Sequence, residues 1–262
     1  MRHNKLRALL EAGQPTVGTR LNAVSPSVVE LIGHTGAFDY VEFLAEYAPF
    51  DLAELDNFCR AAELYDMSSM IKVDQEPRGF LAQRAIGAGF QSVLFADCRT
   101  VDDARACVRV VRPDTPEDGG TFGAAARRFA YVRKDGGPDY VRALQDIVVV
   151  LMIEKKAAVD HLEEILSVEG IDMVQWGGTD YSMSTGRPGA RSTPEVKAVE
   201  KRVIETALRM GVAPRAEINS VDQAGYYLDL GVRHFSLGTD FYILYHWLEE
   251  NGGKLRKVVT GA

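Results

Sequence analysis

Several features are scarce or missing in this chain of 262 residues. Cysteine comes first. Cys59, Cys98 and Cys107 are odd in number and lack the paired spacing of a zinc knuckle. That pattern argues against a disulfide framework or a structural zinc site, and three reduced core thiols in a cytoplasmic protein are expected. Positive charge is also short: 30 Lys and Arg face 37 Asp and Glu, for a formal net charge of −7. With no basic block or stripe, neither nucleic acid nor an anionic membrane is an expected partner. No apolar run approaches the roughly 20 residues a bilayer span requires. The polar start, Met1-Arg2-His3-Asn4-Lys5, has no signal-peptide core. No Gly-x-Gly-x-x-Gly or Walker loop follows a strand, so nucleotide binding has no support. No Ser/His/Asp arrangement stands out either.

What is present is alternation. Short β-type runs cover 15–21, 40–44, 68–73, 92–96, 147–153, 173–176, 212–217 and 234–237. Amphipathic stretches at 27–32, 52–65, 80–86, 101–111, 159–166, 194–210 and 221–230 separate them. Eight strands alternating with helices, in a chain with 46% hydrophobic residues, predict a single (β/α)8 TIM barrel domain spanning 1–262. A doubly wound open sheet is the alternative. The segment 112–139, rich in Pro, Gly and charge, breaks the rhythm; it is expected to leave the C-terminal end of strand four and to serve function. A C-terminal helix is expected at about 240–250.

In such a barrel the strand C-termini form the reactive face. Here they carry Arg20, Glu46, Tyr47, Lys72, Asp74, Glu154, Asp180, Glu217 and Asp240, whereas the opposite ends show little beyond Pro15, Asp39 and Arg233. Glu154 ends the continuous run Ile147-Val148-Val149-Val150-Leu151-Met152-Ile153. Asp180 follows the neighbouring run through the small-residue turn Gly177-Gly178-Thr179, which lets backbone approach a ligand closely. Two acids leaving adjacent strands can meet and hold a hard divalent cation through oxygen. The blander roles are a helix cap for Glu154, a turn for Asp180, a structural ion pair for Arg20 with Glu46 or Asp240, and one for Glu217 with Lys72 or Arg215. For Lys72 the blander role is snorkelling to solvent, and for Tyr47 it is packing. His34, His161 and His246 fall on helical stretches and are read as surface or packing residues.

These motifs resemble the HpcH/HpaI aldolase family, the metal-dependent class II pyruvate aldolases of the phosphoenolpyruvate/pyruvate barrel superfamily. The resemblance covers residues 6 to about 248. It runs through Gly18-Thr19-Arg20, Phe38-Asp39-Tyr40-Val41, Ala45-Glu46-Tyr47-Ala48-Pro49, Ile153-Glu154, Gly177-Gly178-Thr179-Asp180 and Leu228-Asp229-Leu230-Gly231. It implies that Glu154 and Asp180 hold a divalent metal cation (Mg, Mn or Co). It also implies a 2-oxo acid substrate, with Gly177, Gly178, Thr179 and Glu217 in the binding pocket, and a homo-oligomer, a hexamer or trimer of dimers with exchanged C-terminal helices.

The departures are specific. The family's Asp-x-Glu-His is Leu44-Ala45-Glu46-Tyr47, its carboxylate-gripping arginine is Lys72, and a glutamine before the metal glutamate is Met152. Its Gly-Pro-Ala-Asp is Gly177-Gly178-Thr179-Asp180; Glu217 replaces an apolar residue and Arg20 an aromatic one. The function expected is a carbon–carbon lyase working through a metal-stabilised enolate. Arg20 or Lys72 would anchor the carboxylate. A metal-bound water assisted by Glu46 is the first candidate base, and Tyr47 the second. A decarboxylase or condensing enzyme on the same scaffold, and a catalytically silent 2-oxo acid binder, are the alternatives.

Overall fold

The structure, a computed structural model, describes residues 2–131 and 136–261. Eight parallel strands close in sequence order into a barrel: β1 Thr16–Leu21, β2 Tyr40–Leu44, β3 Ser68–Val73, β4 Ser92–Phe95, β5 Val148–Ile153, β6 Met173–Trp176, β7 Ala213–Ile218 and β8 His234–Thr239. The open-sheet alternative is thereby removed, because β1 pairs with both β2 and β8. The helices are α1 Lys5–Glu11, α2 Pro26–His34, α3 Leu52–Leu64, α4 Arg78–Ala88, α5 Val101–Val111, α6 Pro138–Gln145, α7 Lys156–Asp160, α8 Leu162–Leu166, α9 Gly178–Ser184, α10 Pro194–Arg209, α11 Ala224–Asp229 and α12 Asp240–Thr260.

Local chemistry fixes several boundaries. Asp51 and Glu54 form a capping box at the start of α3, and Thr100 and Asp103 do the same for α5. Pro194 opens α10 at a position where its missing N–H costs nothing. Outside the barrel, the strands' outward side chains pack on the helices in one large apolar layer, with Phe58 stacked on Phe90 at 5.4 Å.

Inside the barrel, Leu6, Tyr40, Met70, Leu94, Val148, Val150, Met152 and Met173 fill the lower half. Leu6 belongs to α1, which the sequence pattern did not reveal and which closes the N-terminal mouth. It is held there by Leu6 N–H donating to Ser68 Oγ and by Arg7 bound to the Asp172 carboxylate. Gly18 leaves room for the Tyr40 ring, which would lie 2.2 Å from any Cβ at that position. Above this layer the interior turns polar. Arg215 and Glu42, both fully buried, form an ion pair, and Tyr40 Oη accepts from Arg215 Nε at 2.7 Å.

The segment 112–139 is placed differently from expectation. It follows α5, not strand four, so it emerges on the N-terminal side of the barrel. Its Arg127 and Arg128 dock on the backbone of α4, and Arg128 also pairs with Glu63. Its end is helical, in α6, and residues 132–135 lie outside the described residues. Among the described residues no helix is long and apolar enough to cross a membrane.

Candidate active site

A cavity of about 470 Å³ opens at the C-terminal end of the strands. Arg20, Tyr47, Lys72, Glu154, Gly177, Gly178, Thr179, Asp180 and Glu217 line it as expected, whereas Glu46, Asp74 and Asp240 do not. Glu46 lies beside the cavity, 2.7 Å from Lys72 Nζ. A larger open groove of about 960 Å³ runs between α5 and α8, lined by residues such as Arg105, Arg109, His161 and Glu164. It contains none of the expected site residues.

β5 and β6 are hydrogen-bonded neighbours, with Met152 opposite Gln175 and Ile153 opposite Trp176. Glu154 therefore leaves one strand beside the turn that leads from the other to Asp180. Glu154 is buried, and its Oε1 accepts the Asp97 amide at 2.8 Å. Gly177 is required by this packing, because a Cβ there would lie 2.4 Å from Glu154 Cβ. Burial raises Glu154, Lys72 pulls it back, and the nearby Asp180, Glu46 and Glu217 raise it further, to about 7. A buried carboxylate among other acids is a site that lacks positive charge. Asp180 is less enclosed, and its Oδ1 accepts from Lys155 Nζ at 2.9 Å.

The donor set suits a hard cation: carboxylate oxygens, with space for water or substrate oxygens to complete the shell. Among the described residues no group of three or more His, Cys, Asp or Glu is placed to hold an ion.

Two cations stand opposite this pair, and each is already engaged. Arg20 Nη1 lies 2.7 Å from Glu217 Oε2, Arg20 Nε donates to Gly238 O at 3.2 Å, and Nη2 reaches Asn219 Oδ1 at 3.4 Å. Glu217 also accepts from Gln175 Nε2 at 2.6 Å. Burial would raise the Glu217 carboxyl, but Arg20 and then Arg215 overcome it and hold it below the usual range. Neither bridge foreseen for Arg20, to Glu46 or to Asp240, is formed. Asp240 instead accepts from the amides of Asn22 and Ala23.

Lys72 Nζ lies 2.7 Å from Glu46 Oε2 and donates to Tyr47 Oη, with the ammonium 4.5 Å from the Tyr47 ring centre. Burial would lower the Lys72 ammonium; Tyr47 and Glu46 reverse this and raise it above the ordinary lysine value. Burial pushes Tyr47 up to about 12 in spite of Lys72. Tyr47 is thus a phenol at neutral pH, which counts against its use as a base.

Asp97, Lys155 and Gln175 were not expected from the sequence, nor was Arg191, which lines the cavity. Asp97 adopts φ +56, a conformation visible only in three dimensions, and Lys155 was hidden in a Lys-Lys pair that reads as a solvated helix start. Gln175 sits inside a short strand that reads as core.

The HpcH/HpaI aldolase/citrate lyase family model matches residues 18–246. A hydroxypyruvate/pyruvate aldolase of Delftia acidovorans is 29% identical over 97% of this chain and 93% of its own length. A 4-hydroxy-2-oxo-heptane-1,7-dioate aldolase of Escherichia coli is 30% identical over 92% of this chain and 90% of its own. The crystal structure of an HpcH/HpaI aldolase/citrate lyase family protein from Burkholderia cenocepacia superposes with a TM-score of 0.86 at 27% identity, covering 97% of this chain and 100% of that one. With the barrel, the acid pair and the matched span in agreement, the chain belongs to the HpcH/HpaI aldolase/citrate lyase family.

Proposed function

We propose that this chain is a divalent-cation-dependent carbon–carbon lyase of the aldolase type. Its substrate would be a 4-hydroxy-2-oxo acid, cleaved to a smaller 2-oxo acid and an aldehyde. The observation that carries this reading is the position of Glu154 and Asp180 at the ends of adjacent strands, on the wall of the cavity that also presents Arg20 and Lys72.

Glu154 and Asp180 would hold the cation, which when bound supplies Lewis-acid stabilisation of the enolate charge. Lys72 has three donors; Glu46 and Tyr47 occupy two, and the third is available for a substrate carboxylate. Arg20, braced by Glu217, offers a second anchor with fork geometry. Glu46 carries the negative charge needed to assist a water that takes the hydroxyl proton. Tyr47 accepts from Lys72 and stays protonated at neutral pH, so it would give its phenolic proton to the enolate carbon once the aldehyde has left. Gly177, Gly178 and Thr179 line the floor closely enough for backbone contact with substrate.

The test is release of pyruvate from 4-hydroxy-2-oxo acids, followed with lactate dehydrogenase in the presence of magnesium, manganese or cobalt and then of a chelator. Cation-dependent release supports the reading, and its absence across a panel of such acids contradicts it.

We further infer that the chain is one barrel domain and that it works as a homo-oligomer, a hexamer or trimer of dimers, in the cytoplasm. Helix α12 supports the association: Phe241, Ile243, Leu244, Trp247 and Leu248 are all exposed along it, a cluster of large apolar side chains of the kind that marks an interaction surface. Light scattering on the full chain, and on a variant with Trp247→Glu and Leu248→Glu, tests this.

A further inference from the structure

Lys155 follows Glu154 directly, yet its side chain is only 14% exposed. Its Nζ lies 2.5 Å from Asp97 Oδ1 and 2.9 Å from Asp180 Oδ1. Asp97 meets the other half of the acid pair too, through the amide it donates to Glu154 Oε1 at 2.8 Å. It does so at φ +56, a backbone conformation uncommon outside glycine and concentrated at functional sites. One residue therefore touches Glu154 with its backbone and, with its carboxylate, the ammonium that engages Asp180.

We propose that Lys155 is an internal counter-cation that competes with the divalent cation for Asp180, and that Asp97 is the resting partner to which it retreats. This rests on the reading of Glu154 and Asp180 as the cation pair. The charge balance favours it. Glu46 is matched by Lys72 and Glu217 by Arg20. What remains is Asp97, Glu154 and Asp180 against Lys155, three carboxylates and one ammonium, so a single divalent cation makes the cluster neutral. Before the cation enters, Lys155 shields Asp180. When it enters, repulsion drives the ammonium toward Asp97, already within ion-pair distance, so that little side-chain movement is needed. Lys155 and Asp97 are positioning residues here: they set how tightly the cation is held without touching substrate.

Calorimetric titration of the full chain with manganese alone tests this. Lys155→Met removes the competitor and should tighten manganese binding by roughly 10- to 100-fold, the equivalent of one charge-assisted hydrogen bond. Lys155→Gln repeats the test with the polar contacts kept, should Met unfold the chain, and Lys155→Arg should stay near wild type. Asp97→Asn, which the left-handed conformation tolerates, should weaken binding by about tenfold in the wild-type background and hardly at all beside Lys155→Met. Unchanged or weaker binding in both uncharged Lys155 variants overturns the proposal, as does an Asp97→Asn effect of equal size in both backgrounds. Glu154→Gln and Asp180→Asn are run alongside: if both bind manganese like wild type, the acid-pair reading fails on its own account, whatever Lys155 does.

Discussion

Arg20 on β1 and Glu217 on β7 meet across the barrel mouth, 2.7 Å apart, although their strands are not neighbours in the sheet. A substrate carboxylate that uses Arg20 must share it with Glu217. Arg20→Met is expected to weaken binding of oxalate, an enolate mimic, by roughly 10- to 100-fold, the range of a charge-assisted hydrogen bond. Glu217→Gln should tighten it by up to about tenfold, because the guanidinium loses its competing anion. Calorimetry with oxalate on the cation-loaded protein reads both. Equal affinities in both variants would leave Lys72 as the sole anchor.

Tyr47 departs from the motif expected from the family resemblance, and its proton should matter as an acid. With the phenol pushed up to about 12, no loss of rate from its ionisation is expected as pH rises toward 10. Tyr47→Phe should slow pyruvate proton exchange by about 10²-fold or more, the lower range for a general acid or base. Exchange in deuterated water, followed by NMR, would show it. A Tyr47→Phe protein as fast as wild type removes the role.

The buried pair Arg215–Glu42 bears on stability, and Arg215 also lines the cavity. Glu42→Gln leaves the guanidinium buried without its carboxylate partner, and should cost about 3–5 kcal/mol. Replacing both with apolar residues, Glu42→Leu with Arg215→Met, should recover much of that loss. Urea unfolding of the single and double variants decides it.

His234 supplies a pH dependence of the fold. It starts β8 at the closed end of the barrel, 9% exposed, with Nδ1 3.0 Å from Thr16 Oγ1. Burial, with Arg233 nearby, lowers it from 6.5 to about 4. Between these values the unfolded chain binds a proton that the folded one does not. The contribution is therefore complete above pH 6.5 and is lost as pH falls toward 4, a change of about 3 kcal/mol. His234→Gln should flatten the stability profile in that window, as measured by urea midpoints at successive pH values. An unaltered slope would assign the acid sensitivity to other groups.

The barrel was legible because each strand is a compact apolar or β-branched run bounded by turn residues, and 40–44, 68–73 and 173–176 were found at their true limits. Helices α1, α6 and α9 escaped notice; α6 is amphipathic and opens on Pro138 but follows the Pro- and Gly-rich segment, while the signal of the other two is weak or misleading. Helix α1 is a single short helix; its Asn4 cap and its one buried side chain, Leu6, give little periodicity. Helix α9 starts in a Gly-Gly-Thr stretch that reads as a turn. The segment 112–139 was assigned to the wrong face because it follows a helix rather than a strand, and Pro and Gly content does not distinguish the two. In the site, the strand-end acids could be read from position alone. Their partners could not: Arg20 finds Glu217 only after barrel closure, and Lys155 finds Asp97 only because of a left-handed backbone at that residue.

The central claim is that Glu154 and Asp180 hold the cation that makes enolate chemistry possible in this cavity. Exchange of the pyruvate methyl protons in deuterated water, followed by NMR with magnesium and then with excess chelator, tests it on the wild-type chain, Glu154→Gln and Asp180→Asn. The account predicts exchange with magnesium in the wild type, its loss on chelation, and its near absence in both variants while their far-ultraviolet circular dichroism stays unchanged. Exchange that survives the chelator, or that persists undiminished in both folded variants, would contradict it.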